Sequence, residues 1–239
     1  MDTITLTIDS VKVEAKAGTS VLEAAQNAGI YIPRICYHPD LPPAPETKVN
    51  DRIYRGGKLI ENTSSGQGNF EGCKLCLVQI EGMNGLSTAC DTQVANNMVV
   101  HTKTEQIDDA RRDNLVKILV NHPHACLLCA ESEGCVRDKC SLNVPVNERC
   151  CEKFGRCELQ KVAMFIGIRE NIPRYVFGDK PIEENSLFTR NHNLCIDCGR
   201  CVRVCRDVRE IEALGVVNNT GNFVVGTLGP SLKESECKF

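Results

Sequence analysis

Apolar and polar positions alternate from the start of the chain. Ile4, Leu6 and Ile8 share one side, Val11, Val13 and Ala15 repeat the alternation, and Asp9-Ser10 lies between the two runs. This is the pattern of a β-hairpin with one buried face. The period then lengthens. Ser20-Val-Leu-Glu23 has the reciprocal capping signature of a helix start, Val21, Leu22, Ala25 and Ala28 form a stripe, and Gly29 supplies a stop. A second helix is predicted over 105–121, where Ile107, Ala110, Leu115, Ile118 and Leu119 recur at helical spacing behind Asp108 and Asp109, ending at Asn121-His122-Pro123. A third is predicted over 158–168. The fold class expected is α+β.

The chain has 239 residues, enough for one large domain or two to three small ones, and its 16 cysteines favour small units held partly by metal. A net charge of -3 leaves no global basic field, so nucleic acid is not an expected partner. Met1-Asp-Thr-Ile-Thr-Leu reads as a strand and not as a secretion signal, and no apolar run is long enough to span a bilayer. The expected location is cytoplasmic. Thiols stay reduced there, so repeated Cys-x2-Cys spacing points to metal or redox chemistry before disulfides.

The densest motif is Cys195-Ile-Asp-Cys198-Gly-Arg-Cys201-Val-Arg-Val-Cys205, four thiols within 11 residues at the spacing that wraps a 4Fe-4S cubane. Cys195, Cys198 and Cys201 are ligands to one cluster. Cys205 either completes it or, as the fourth cysteine does in two-cluster ferredoxins, serves a neighbouring one. Arg206 follows it where proline is usual. Arg200, Arg203, Arg206 and Arg209 recur every third residue, either as a solvated basic face or as cations that favour a reduced cluster and attract an acidic partner.

Ile-Pro-Arg-Ile-Cys36-Tyr-His-Pro, then Gly72-Cys73-Lys-Leu-Cys76-Leu-Val-Gln-Ile-Glu-Gly, then Cys90 resemble the 2Fe-2S loop of a ferredoxin family. That family opens the large iron-sulfur subunit of respiratory complex I, iron-only hydrogenases, and the small diaphorase subunit of NAD-reducing hydrogenases. The resemblance implies a β-grasp ferredoxin over 1–100 and a 2Fe-2S cluster on Cys36, Cys73, Cys76 and Cys90. The family keeps its first two cysteines close, whereas 36 residues, Tyr37 to Gly72, separate them here. With Pro42-Pro43-Ala-Pro45, Gly56-Gly57 and Thr63-Ser-Ser-Gly66-Gln-Gly68, the insertion 37–72 reads as a long surface loop with little structure of its own, a lid or docking loop and not a phosphate cradle.

His122-x3-Cys126-x2-Cys129 is similar to the same family's His-ligated 4Fe-4S site; without the thiols, His122 would read as a helix-end histidine. His124 falls at the wrong offset. Cys135 keeps the family's interval after Cys129, but the family phrase Gly-x-Cys-Glu-Leu-Gln occurs at Gly155-Arg-Cys157-Glu-Leu-Gln, and Cys157 is preferred as the fourth ligand. The insertion 136–156 leaves Cys135, Cys140, Cys150 and Cys151 as a set for an additional 4Fe-4S cluster, a small zinc knot, or unligated thiols.

The expected organisation is therefore a 2Fe-2S unit over 1–100, a small helical His/Cys 4Fe-4S unit over 101–178, and a partial ferredoxin-like 4Fe-4S unit over 179–239. The relatives continue past Ser235-Glu-Cys237-Lys-Phe with a second cysteine run. Cys237 is thus a candidate second-site ligand: either the chain is truncated, or the site is degenerate and Cys205 or Cys237 closes the remaining cubane, and no hydrogen-activating domain is expected in this chain. No Gly-x-Gly-x-x-Gly or Walker sequence is present, so no catalytic residue is assigned. The resemblance implies one 2Fe-2S and two to four 4Fe-4S clusters in an electron-transfer subunit. Its partners would be a flavin/NAD(H)-binding subunit and a further redox subunit or ferredoxin, in a hydrogenase, formate dehydrogenase or electron-bifurcating complex. The rivals are a free-standing polyferredoxin shuttle, a zinc-binding interaction module and a disulfide-stapled secreted protein.

Overall fold

The computed structural model of this chain describes residues 3–64, 68–135, 139–175, 180–184, 188–235 and 237. The hairpin forms from β1 (Thr3–Ile8) and β2 (Val11–Lys16), with Leu6 opposite Val13 and Ile8 opposite Val11. Its turn residues Asp9 and Ser10 take φ of 46° and 71°, the left-handed pair that matches hairpin twist. The Asp9 carboxylate fixes the turn by accepting from the Thr102 amide at 2.7 Å and from the Thr102 hydroxyl. Helix α1 (Val21–Asn27) begins with both halves of the reciprocal cap. Glu23 N–H donates to Ser20 Oγ at 3.2 Å, and Ser20 N–H donates to Glu23 Oε2 at 3.0 Å.

The 37–72 insertion departs from expectation. It folds into a hairpin of β3 (Arg52–Arg55) and β4 (Lys58–Glu61), turning at Gly56 and Gly57 with φ of 56° and 74°. Arg-Ile-Tyr-Arg and Lys-Leu-Ile-Glu flanking Gly-Gly is itself a two-residue hairpin signal, hidden in the sequence by the proline- and glycine-rich stretches on either side. Residues 65–67 of that stretch lie outside the described residues.

The chain then returns as β5 (Leu77–Ile80), β6 (Ser87–Thr88) and β7 (Val99–His101). With the first hairpin these make a five-stranded sheet ordered β2-β1-β7-β5-β6, in which β1 and β7 run parallel and the other pairs antiparallel. Leu6, Ile8, Val13, Val78, Ile80 and Val100 from the sheet share one core with Val21, Leu22, Ala24 and Ala25 of α1.

Helix α2 (Glu105–Leu119) is capped by Thr104, and α3 (Glu158–Ile166) stops at Gly167, whose φ is 81°. Leu115 and Leu119 meet Leu159, Val162, Ala163 and Ile166, and the same cluster takes in Ile35 and Leu75 from the cysteine loops of the first unit. The middle helices therefore roof those loops.

The last third holds β8 (Ile182–Glu184) and β9 (Thr189–Asn191), then α4 (Arg200–Arg203), which loosens into one π turn at Val204–Val208. The hairpin β10 (Leu214–Asn219) and β11 (Asn222–Thr227) completes it. Its edge pairs with the insertion, giving a second sheet ordered β10-β11-β3-β4. Gly226 permits this join, since a Cβ there would lie 2.4 Å from the Tyr54 carbonyl. The expected unit boundary at 178–179 and residues 136–138 of the second insertion fall outside the described residues. Among the described residues no helix is long and apolar enough to cross a membrane.

Candidate metal centres

Cys36, Cys73, Cys76 and Cys90 meet between the first core and the helical roof. Three of them are buried, and Cys73 is partly so. The Cys73 amide donates to Cys36 Sγ at 3.4 Å. Gly72 makes this approach feasible: it has φ of 73°, and a Cβ there would sit 3.2 Å from the Cys36 sulfur. The thiols pair by hydrogen bonds, Cys36 with Cys73 and Cys76 with Cys90. The hydrogen bond with Cys73, reinforced by burial, pushes Cys36 up, and the contact with Cys90, again with burial, does the same to Cys76. Cys73 is drawn down to about 6, first by its bond with Cys36 and then by backbone amides that include Leu75. Amides aimed at sulfur are what an anionic thiolate-bound group requires.

A buried cation stands beside this set. Arg203, 1% exposed, donates through Nη1 to the Pro42 carbonyl at 2.7 Å and through Nη2 to the Cys36 carbonyl, and its Nε has no hydrogen-bond partner among the described residues. Burial pushes its pKa down, and the leading charge effects on it come from the thiols of Cys36 and Cys198, the Arg200 cation and the Cys90 thiol. A guanidinium buried against neutral carbonyls is costly unless an anion sits nearby, and a thiolate-ligated cluster is such an anion. Arg200 lies alongside, donating to both Glu158 oxygens at 2.8 and 2.9 Å and to the Tyr37 carbonyl at 3.0 Å. The four arginines thus do not form one solvated face: Arg203 points inward and Arg206 pairs with Asp207 at 2.6 Å.

In the middle region His122, Cys150, Cys151 and Cys157 line one small pocket with Pro123, Phe154 and Leu159. Cys126, presented by a single helical turn over Ala125–Leu128, joins through the Cys150 amide, which donates to its sulfur at 3.3 Å. Cys157 occupies the N-cap of α3 without a side-chain capping bond. His122 Nδ1 lies 2.9 Å from the Pro123 carbonyl, which fixes that nitrogen as the N–H and leaves the Nε2 lone pair available. Burial depresses its pKa to about 4, so the ring is neutral, the form that ligates metal. His124 has the same posture, with Nδ1 on the His122 carbonyl and a buried Nε2 that lacks a partner among the described residues. Spacing groups Cys150 and Cys151 with Cys135 and Cys140, whereas in the fold they share a wall with His122. Cys135 is exposed, Cys129 is partly buried, and Cys140 accepts from the Val144 amide at 3.3 Å within its own turn. The signal that intervals lack is tertiary: the second insertion folds back onto Pro123.

In the last region a 3-10 turn over His192–Leu194, capped by Asn191, delivers Cys195. Asp197 and Gly199, with φ of 48° and 67°, then turn the loop towards Cys198 and Cys201. Cys198 packs in the same apolar cluster as Cys36, Cys73, Phe70 and Val202, so the first and last cysteine sets are neighbours. Cys205 faces elsewhere. Its thiol donates to the Ile211 carbonyl at 2.7 Å, and it shares a separate cluster with Ala213, Leu232 and Cys237. Among the described residues no three His, Cys, Asp or Glu side chains close on a point suited to one metal ion.

Residues 1–43 and 60–105 match the 2Fe-2S iron-sulfur cluster binding domain family, with the unmatched gap inside the insertion. Over 217 residues, 90% of its length, the chain is 35% identical to an NADH-quinone oxidoreductase subunit of Rhizobium meliloti and spans 20% of that protein. It is 31% identical over 227 residues to the mitochondrial NADH-ubiquinone oxidoreductase 78 kDa subunit of Candida albicans, covering 94% of this chain and 25% of the relative. Against the NADP-reducing hydrogenase subunit HndD of Solidesulfovibrio fructosivorans the identity is 29%, over 94% of this chain and 31% of that one. The chain therefore spans less than a third of these relatives. Its fold is like that of a chain in the crystal structure of NAD+-reducing [NiFe]-hydrogenase in the H2-reduced state, with a TM-score of 0.65 at 23% identity, covering 98% of this chain and 80% of the other. Two stretches within the first 105 residues thus match the 2Fe-2S iron-sulfur cluster binding domain, and the chain is similar along nearly its whole length to part of the subunits of NADH-quinone oxidoreductase and of NADP-reducing hydrogenase.

Proposed function

We propose that this protein is an electron-relay subunit, carrying single electrons between a flavin/NAD(H)-binding subunit and another redox partner in a cytoplasmic multisubunit oxidoreductase. The observation that carries the reading is the shared packing of Cys36, Cys73 and Cys198 beneath a buried Arg203. An iron-sulfur cluster, when bound, accepts and releases one electron at a time.

Cys36, Cys73, Cys76 and Cys90 would hold the 2Fe-2S cluster. His122, Cys126, Cys129 and Cys157 would hold a 4Fe-4S cluster, for which the fixed His122 tautomer and the uncapped Cys157 thiol are the support. Cys150 and Cys151 are close enough to this wall to compete for a place in that ligand set. Cys195, Cys198 and Cys201 would hold a second cubane. The separate cluster of Cys205 with Cys237 favours these two as the start of a further site over Cys205 as the fourth ligand of the first. In this reading a 2Fe-2S unit over 1–100 precedes a His/Cys unit over 101–178 and a ferredoxin-like unit over 179–239. The protein's own part is to bury the thiols, aim amides and cations at them, and keep them in one apolar seam.

Anaerobically isolated protein titrated with dithionite under electron paramagnetic resonance tests this directly. One 2Fe-2S and at least two 4Fe-4S signals are expected; colourless material without acid-labile sulfide overturns the reading. The relatives are subunits of larger enzymes, which favours a fixed relay over a free-standing shuttle. Co-isolation at constant ratio with a flavin-binding partner is the expected result.

A further inference from the structure

The insertion between Cys36 and Cys73 delivers a buried cation to a different cysteine set from the one it interrupts. Arg55, at the end of β3 and 5% exposed, donates through Nε to the Val225 carbonyl at 2.6 Å and through Nη2 to Asp197 Oδ1 at 2.8 Å. That same oxygen accepts from the Cys195 thiol at 3.2 Å and from the Val225 amide at 3.3 Å. The turn that follows Arg55 is tied down independently, since the Gly56 amide donates to Glu183 Oε1 at 2.6 Å. Arg55 thus has a fixed place at the rim of the Cys195 loop.

Asp197 lies between two cysteines of the densest motif. Once Cys195 is a thiolate bound to iron it no longer donates to Asp197, and a bare carboxylate beside that sulfur would add negative charge where an electron must arrive. A guanidinium on the same oxygen offsets it. We infer that Arg55 is a positioning and charge-compensating residue for the Cys195/Cys198/Cys201 cluster, and that the 37–72 insertion therefore tunes the last redox site as well as bridging two parts of the fold. The inference rests on the cluster assignment proposed above.

The test is a redox titration of the intact, anaerobically isolated protein, with the 2Fe-2S signal as an internal reference. Arg55→Gln is expected to make reduction of the Cys195-set 4Fe-4S cluster at least tenfold less favourable, a midpoint about 59 mV lower for one electron, with the 2Fe-2S midpoint unmoved. Arg55→Lys keeps the charge and recovers most of the shift. Asp197→Asn removes the carboxylate, leaves the cation in place and raises the midpoint. Should Arg55→Gln lose the cluster, Asp197→Asn carries the test alone. Equal displacement of both signals, or an unmoved 4Fe-4S midpoint in either Arg55→Gln or Asp197→Asn, overturns the inference while leaving the relay reading intact. A wild-type sample with a 2Fe-2S signal and no 4Fe-4S signal at this set overturns both.

Discussion

Arg203, at the end of the short helix that carries Cys201, donates to the backbone carbonyl of Cys36, 167 residues earlier in the chain. A guanidinium from the last cysteine set is thereby sealed against the first. Removing it affects both stability and potential. Arg203→Ala is expected to destabilise the protein by roughly 2–4 kcal/mol in denaturant titration, because two buried carbonyls lose their donor. Arg203→Lys should recover only part, since an ammonium cannot span Pro42 and Cys36 as a fork does. The charge loss should lower the 2Fe-2S midpoint, and an unchanged value in Arg203→Ala would show that the cation does not sense the cluster.

Phe70 and Gly199 form a second junction between distant segments. Phe70 is 1% exposed and stacks edge-on against Phe223 with ring centroids 5.0 Å apart. Gly199 has φ of 67°, and a Cβ there would lie 2.8 Å from the Phe70 ring. Gly199→Ala combines backbone strain with a clash and should cost about 1–3 kcal/mol. Phe70→Ala should cost about 3–5 kcal/mol through the cavity it leaves. If the contact is the cause, the double variant loses less than the sum of the two in thermal unfolding.

Acid should weaken the metal-free chain through His122. Its pKa falls from the ordinary 6.5 to about 4 on burial, so the unfolded state binds a proton first as pH drops. Stability is therefore full above about 6.5 and is lost as pH falls towards 4, by an amount on the order of 3 kcal/mol. His122→Gln should flatten unfolding free energy across that window; a slope equal to wild type would assign the acid sensitivity to other groups.

Serine scanning can divide the middle cysteines. Cys157→Ser and Cys126→Ser should each lose the iron and the spectroscopic signal of one 4Fe-4S cluster, because both thiols belong to the wall shared with His122 or Cys150. Cys135→Ser, at an exposed position, should leave that signal and its iron unchanged. Loss of the signal in Cys135→Ser would instead restore the five-residue spacing as the guide to the fourth ligand.

What is legible in the sequence is local. The Asp9-Ser10 turn, the Ser20/Glu23 cap and the three helices all follow from neighbours within a few positions. The rest depends on partners far along the chain. Nothing near Arg55 announces that Asp197 will receive it, and the triplet spacing of Arg200 to Arg209 suggests an open face because a helical wheel does not register the Cys36 loop packed across it. Likewise, intervals group Cys150 and Cys151 with Cys140, but the backbone between them turns towards Pro123.

The pairing of Thr227 with Tyr54 also dictates a timetable. On the ribosome, β3 and β4 emerge long before β11 exists, so their outer edge waits unpaired while the whole middle of the polypeptide is synthesised. Arg55 cannot reach Asp197 during that interval. Iron loading at the last motif should therefore follow synthesis of β11, and a holdase that shields a bare strand edge would serve this protein more than one that shields its helices.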